Sequence, residues 1–112
     1  MNPERRRYPR INVTWPAFLE TAQQTIQGEN QNISVDGAFI RSTIDPGQDK
    51  TLSILIKTPH CVPSLFVTGQ VTRSNLRVPA ENLTSTGMGV RFTAFFGKDR
   101  QFLHETVSDH LK

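Results

Sequence analysis

A single cysteine, Cys61, stands among 112 residues, so no internal disulfide can form and the chain suits a reducing compartment. Long apolar runs are also missing: the longest extend over a few residues, against the ~20 that a membrane-spanning helix requires. The opening residues are charged and no apolar stretch follows them, which is unlike a secretory signal. The expectation is a cytoplasmic protein without membrane attachment. In that setting the glycosylation-type patterns at Asn12-Val13-Thr14, Asn32-Ile33-Ser34 and Asn82-Leu83-Thr84 carry no meaning.

Catalytic and metal-binding sets are absent as well. No Gly-x-x-x-x-Gly-Lys loop is present to cradle phosphates for hydrolysis. His104 and His110 are six residues apart, off a shared helical face and without the His-Glu-x-x-His spacing of zinc proteases. His60 and Cys61, adjacent in a loop, make a poor chelate with no second cysteine to complete it. No catalytic residue, metal or cofactor is expected.

Charge is abundant in one place. The net charge is +3, and residues 1–10 account for all of it with four arginines and one glutamate. The nine cations and nine anions of the remaining chain cancel. A duplex nucleic-acid binder usually spreads positive charge over a face, so a small compact anion is the better partner and nucleic acid the poorer one. The basic segment, Glu4-Arg5-Arg6-Arg7-Tyr8-Pro9-Arg10-Ile11, contains no lysine. Guanidinium forks can hold a phosphate or a guanine edge with two hydrogen bonds at once. Pro9 biases Tyr8 toward extended geometry, which puts Arg6 and Arg10 on one side, with Cα atoms roughly 13 Å apart, and Arg5 and Arg7 on the other. Such a segment is either a solvated tail or half of a binding site.

The length fits one domain burying roughly two-thirds of its unfolded surface. Ile11, Val13 and Trp15 alternate with polar residues over 11–18, the period of a half-buried strand, and Pro16 suggests an edge position or a bulge. A strand from about Thr21 to Ile33 follows, interrupted by a turn near Gln27-Gly28. Asp36-Gly37 signals a tight turn before Ala38-Phe39-Ile40, and Asp45-Pro46-Gly47 another. Residues 52–57, 65–74 and 87–95 read as strands, with loops at 58–63 and 77–85. From Lys98 onward Phe102, Leu103, Thr106, Val107, His110 and Leu111 recur at helical spacing. Six or seven short strands and one C-terminal helix suggest a small closed barrel, its end covered by the stripe Phe102, Leu103, Val107 and Leu111.

Within this frame, Asn32 and Ser34 are polar groups suited to the edge of a base, and Gly37 permits a sharp turn or a close approach to the backbone. Asn, Ser, Asp and Gly are equally ordinary turn residues. Taken in order, Arg6-x-x-x-Arg10, then Asn32-x-Ser34-x-x-Gly37, then Gly87-Met88-Gly89-Val90-Arg91-Phe92, the chain resembles a PilZ domain, the bacterial receptor module for cyclic di-GMP, over nearly its whole length.

The resemblance implies a mainly all-β domain: a six-stranded antiparallel β-barrel over 12–95, an arginine-rich arm over 1–11 and a C-terminal helix over 97–111. It further implies that Arg6 and Arg10 hold phosphates and guanine Hoogsteen edges, that Asn32 and Ser34 bind a guanine edge, and that Gly37 makes room. Arg5 could stack on a second ligand, giving two per protomer, and Arg7 and Arg73 are peripheral contacts. The function expected is a non-enzymatic receptor whose arm orders on binding and relays the signal to a protein partner, as a monomer or a ligand-dependent dimer. A PilZ-like interaction module without nucleotide binding and a nucleic-acid binder using the arm are the alternatives.

Overall fold

Alternation at the start of the chain becomes β1 (Ile11–Glu20), which turns Ile11, Trp15, Ala17 and Leu19 inward. The computed structural model describes residues 8–42, 46, 50–59, 64–74 and 87–111, with backbone alone for 73 and 74. β2 (Thr25–Ser34), β3 (Gly37–Arg41), β4 (Thr51–Lys57), β5 (Ser64–Ser74) and β6 (Met88–Phe95) follow, and then α1 (Asp99–His110). All pairings are antiparallel, and the strands close into a barrel in the order β1-β2-β3-β6-β5-β4. The expected six-stranded barrel with a C-terminal helix is therefore the fold.

Inward positions on every strand are mostly β-branched or leucine, among them Ile26, Ile33, Ile40, Ile54, Ile56, Leu65 and Val71, all nearly inaccessible to solvent. Burial of each such side chain stabilises the fold by roughly 1.5–3 kcal/mol. Leu103 and Val107 of α1 join this core, and the helix packs on β2 and β5. Its carboxylate at Asp99 accepts a hydrogen bond from the Phe66 N–H at 2.8 Å, which ties the helix start to β5. Leu111 departs from the expected stripe: it lies beyond the last helical turn and is 55% exposed.

The interruption expected near Gln27-Gly28 is not there. β1 runs on to Glu20, the turn falls at residues 21–24, and β2 passes through Gly28 opposite Ala17. Thr21 forms that turn, its hydroxyl donating to the Gln24 carbonyl at 2.9 Å and accepting from the Gln24 N–H at 3.0 Å. Gly28 is needed for a different reason. A Cβ there would sit 2.8 Å from the Arg41 carbonyl oxygen on β3, so the glycine marks strands drawn close together.

Two register irregularities shape the barrel near its first strand. Between Asn12 and Trp15, β1 advances three residues while β2 recedes two, from Asn32 to Asn30. Across β2 and β3, the step from Asn30 to Asn32 is matched by a step of one residue, from Ile40 to Phe39. Gln31 is thus an extra residue, and it shifts the inward phase of β2 from Ile26 and Asn30 to Ile33. Pro16 lies beside this bulge, just outside the β1–β4 pairing that begins at Ala17, where its missing N–H costs no ladder bond to β4.

Candidate functional site

The register that opens β1 carries the end of the arginine segment onto β2. Ile11 faces Ile33 and Asn12 faces Asn32, which leaves Arg10 beside the end of β2. Its guanidinium Nη1 donates to Asn32 Oδ1 at 2.8 Å, and both side chains are half-buried. One of the two arginines of the Arg-x-x-x-Arg motif and the asparagine of the second motif are therefore in direct contact. Arg5, Arg6 and Arg7 lie outside the described residues, and so does the side chain of Arg73, whose backbone faces Gly89 across β5 and β6.

Tyr8 fastens the same segment at a second point. Its hydroxyl accepts a hydrogen bond from Arg100 Nη2 at 3.2 Å, and the Arg100 guanidinium carbon is 5.6 Å from the Tyr8 ring centroid. Residues 8–10 are thus held to α1 on one side and to β2 on the other. Neither Tyr8 nor Arg100 was singled out from sequence. A tyrosine inside a run of arginines and an arginine on a helix carry no pairing signal when they are 92 residues apart.

Ser34 is fully buried. Its hydroxyl donates to the carboxylate of Asp36 and accepts from the Asp36 N–H at 3.2 Å, so it shapes the turn that leads into β3. The Asp36 carbonyl in turn accepts from the Phe92 N–H at 2.9 Å, which fixes this turn against β6. Gly37 opens β3 opposite Arg91, and a Cβ at this position would lie 2.5 Å from the Val90 carbonyl oxygen. The room that Gly37 makes is room for β6. Asp36, missed as a site residue, is legible in retrospect from the Ser-x-Asp spacing of a hydroxyl–carboxylate turn.

The arrangement lies where Arg10, the end of β2 and the turn at residues 35–36 meet. It offers a guanidinium fork on Arg10, the amide of Asn32 and the backbone of the turn at 35–36. Such groups recognise phosphate oxygens and base edges through charge-assisted and paired hydrogen bonds. Among the described residues no three His, Cys, Asp or Glu side chains gather to hold a metal, and no helix is long and apolar enough to cross a membrane.

Solved structures with the same fold include the Bacillus subtilis inhibitor of motility MotI/DgrA, at 19% identity and a TM-score of 0.73. Escherichia coli YcgR in complex with c-di-GMP also matches, at 14% identity and a TM-score of 0.73. The alignments cover 96% of this chain but 52% and 46% of those two proteins, so the chain spans about half their length. The separate PilZ domain of E. coli YcgR with c-di-GMP matches at 16% identity and a TM-score of 0.68, over 95% of this chain and 91% of that one. No curated protein sequence matches. The family model described as "PilZ domain" matches residues 4–107, and with the closed barrel and its contact between Arg10 and Asn32, this chain belongs to the PilZ domain family.

Proposed function

We propose that the chain is a cyclic di-GMP receptor without enzymatic activity. The observation that carries this reading is the 2.8 Å contact between Arg10 and Asn32, which brings the arginine segment and the polar motif to one place. Cyclic di-GMP carries two phosphate charges and two guanines. Arginine forks at Arg6 and Arg10 would answer both, while the Asn32 amide and the turn after Ser34 meet a guanine edge. Because Arg10 already occupies Asn32 Oδ1, ligand binding exchanges or shares that hydrogen bond instead of forming a site from nothing. For Ser34 to donate to the ligand, its hydroxyl must leave the Asp36 carboxylate; only its second lone pair is open to a guanine N–H as it stands. PilZ-domain structures solved with c-di-GMP support the choice of ligand.

The finer parts of the proposal are these. Residues 1–7 order across the barrel when ligand binds, continuing the segment 8–11 that Arg100, Asn32 and the pairing with β2 already hold. Arg5 stacks on a second ligand molecule, and Arg7 and Arg73 contact its rim. The bound form then engages a protein partner in the cytoplasm, as a monomer or a ligand-dependent dimer.

Calorimetric titration tests the core of this. The chain should bind cyclic di-GMP, and Arg10→Lys, which keeps the charge but loses the fork, should weaken binding by about 1–3 kcal/mol. No heat with cyclic di-GMP, or unchanged affinity in Arg10→Lys, refutes the receptor reading. Equal binding to duplex DNA, with a steep salt dependence, would replace it with a nucleic-acid arm.

A further inference from the structure

Outside the site just described, four apolar side chains on the outer face of the barrel stand in register across consecutive strands. Phe18 of β1 lies opposite Leu55 of β4, and Leu55 lies opposite Phe66 of β5. Past the end of β6, the Phe96 N–H donates to the Phe66 carbonyl at 3.0 Å, and the two rings meet edge-on with centroids 6.2 Å apart. Phe66 is 52% and Phe96 72% exposed, while Phe18 and Leu55 are half-buried. Scattered surface phenylalanines need no explanation, but a contiguous row is the mark of a contact surface.

The row is contoured. Two depressions of about 300 Å³ each lie on either side of Phe66, one walled by Phe18 and Leu55, the other by Ala94 and Phe96. Ser53, Ile54 and Phe66 line both, so the depressions adjoin, and their outer walls at Phe18 and Phe96 set their centres about one to two strand spacings, roughly 5–10 Å, apart. Residues i and i+7 of an α-helix are separated by about 10.5 Å along its axis. A strand cannot be the occupant, because the barrel is closed and offers no free edge here.

Charge distinguishes the two flanks. On one, the Lys57 ammonium sits 5.9 Å from the Phe18 ring centroid, and Lys98 follows Phe96 in the turn before α1. The nearby acid, Asp99, is engaged by the Phe66 N–H. Hydroxyls of Thr25, Ser53 and Thr68 line the other flank, with Glu20 at its far corner.

We propose that the row Phe18–Leu55–Phe66–Phe96 docks an amphipathic helix of a partner protein. Apolar residues at i and i+7 of that helix enter the two depressions, and its acidic edge lies along Lys57 and Lys98. The row shares no residue with the site at Arg10 and Asn32, and Phe18 lies six residues along β1 from Asn12, roughly 20 Å away. The surface therefore stands independently of the receptor reading.

The probe is a synthetic helical peptide with leucines at i, i+4 and i+7 and glutamates along one flank, titrated into the ¹⁵N-labelled chain with and without cyclic di-GMP. Resonances of Phe18, Leu55, Phe66 and Phe96 should shift saturably at micromolar peptide. Changing the flank glutamates to lysines should weaken binding at least tenfold, and Lys57→Glu in the chain should narrow or reverse that preference. Phe66→Ser should weaken binding at least tenfold while leaving the unfolding midpoint and any cyclic di-GMP affinity as they were. Absent shifts, or equal response to both flank charges, overturn the proposal. So does sedimentation showing a Phe66-dependent dimer, or Phe66-dependent flotation with anionic vesicles, since either gives the face to a different occupant. Because the titration reads out in the absence of nucleotide, failure of the receptor reading leaves its result interpretable.

Discussion

Replacing Asn30 with leucine should make this protein more stable. Asn30 is fully buried on β2, opposite Trp15 on one side and Ile40 on the other, and neither its Oδ1 nor its Nδ2 finds a hydrogen-bond partner among the described residues. An amide desolvated without compensation costs roughly 1–3 kcal/mol on the scale set by protein mutants. Leucine has the same branching and the same number of side-chain heavy atoms, and it removes that penalty while adding apolar burial. Its slightly larger volume returns part of the gain as packing strain. The expected net is about 1–3 kcal/mol in favour of Asn30→Leu, or roughly 4–12 °C in melting temperature at about 4 °C per kcal/mol for a domain of this size.

Trp15 is the chain's single tryptophan, 6% exposed and directly opposite Asn30, so its fluorescence reports the unfolding of this very neighbourhood in urea. With a urea slope of 1–3 kcal/mol per molar, the midpoint should rise by about 1 M. Loss of 1 kcal/mol or more in both Asn30→Leu and Asn30→Val would refute the reasoning. That result would mean the amide is satisfied by a buried water and contributes net stability.

Three further substitutions test other parts of the structure. Gly37→Ala drives a methyl group against the Val90 carbonyl and should cost about 1–3 kcal/mol in urea unfolding, with binding weakened only through loss of the fold. Ser34→Ala removes the donor to Asp36 and should lose about 1–3 kcal/mol of stability; a calorimetric loss of cyclic di-GMP affinity beyond the unfolded fraction would show that the hydroxyl also reaches the ligand. Arg100→Ala frees Tyr8 from α1 and should weaken cyclic di-GMP binding two- to fivefold at an unchanged melting temperature, consistent with about 0.5–1 kcal/mol for an exposed cation–π contact.

Much of the barrel was legible because β1 alternates as a strand with one buried face does, while β4 and β5 are short apolar, β-branched runs bounded by polar or proline-containing stretches. β2 was legible as a strand but not in its bounds or its facing, because the extra residue at Gln31 changes which parity turns inward. Gly28 misled for a related reason: glycine serves both turns and close strand contacts, and the sequence does not say which. At the site, motif order named Arg10 and Asn32 as neighbours of one ligand, and the structure puts the two side chains in contact. The inward commitment of Ser34 depends on Asp36 two residues later, and its burial is a property of the hairpin and not of the residue. Phe66 sits in an apolar triplet with Leu65 and Val67 that reads as continuous core, yet the pleat sends it out while its neighbours go in.

The position of β6 between β3 and β5 has a consequence for how the molecule is made. While the ribosome is still short of residues 88–95, both β3 and β5 present unpaired backbone along one side. Closure must wait until β6 itself has emerged. A nascent or prematurely terminated product therefore carries two sticky margins that the finished protein lacks, and it should be a client of chaperones and a nucleus for aggregation.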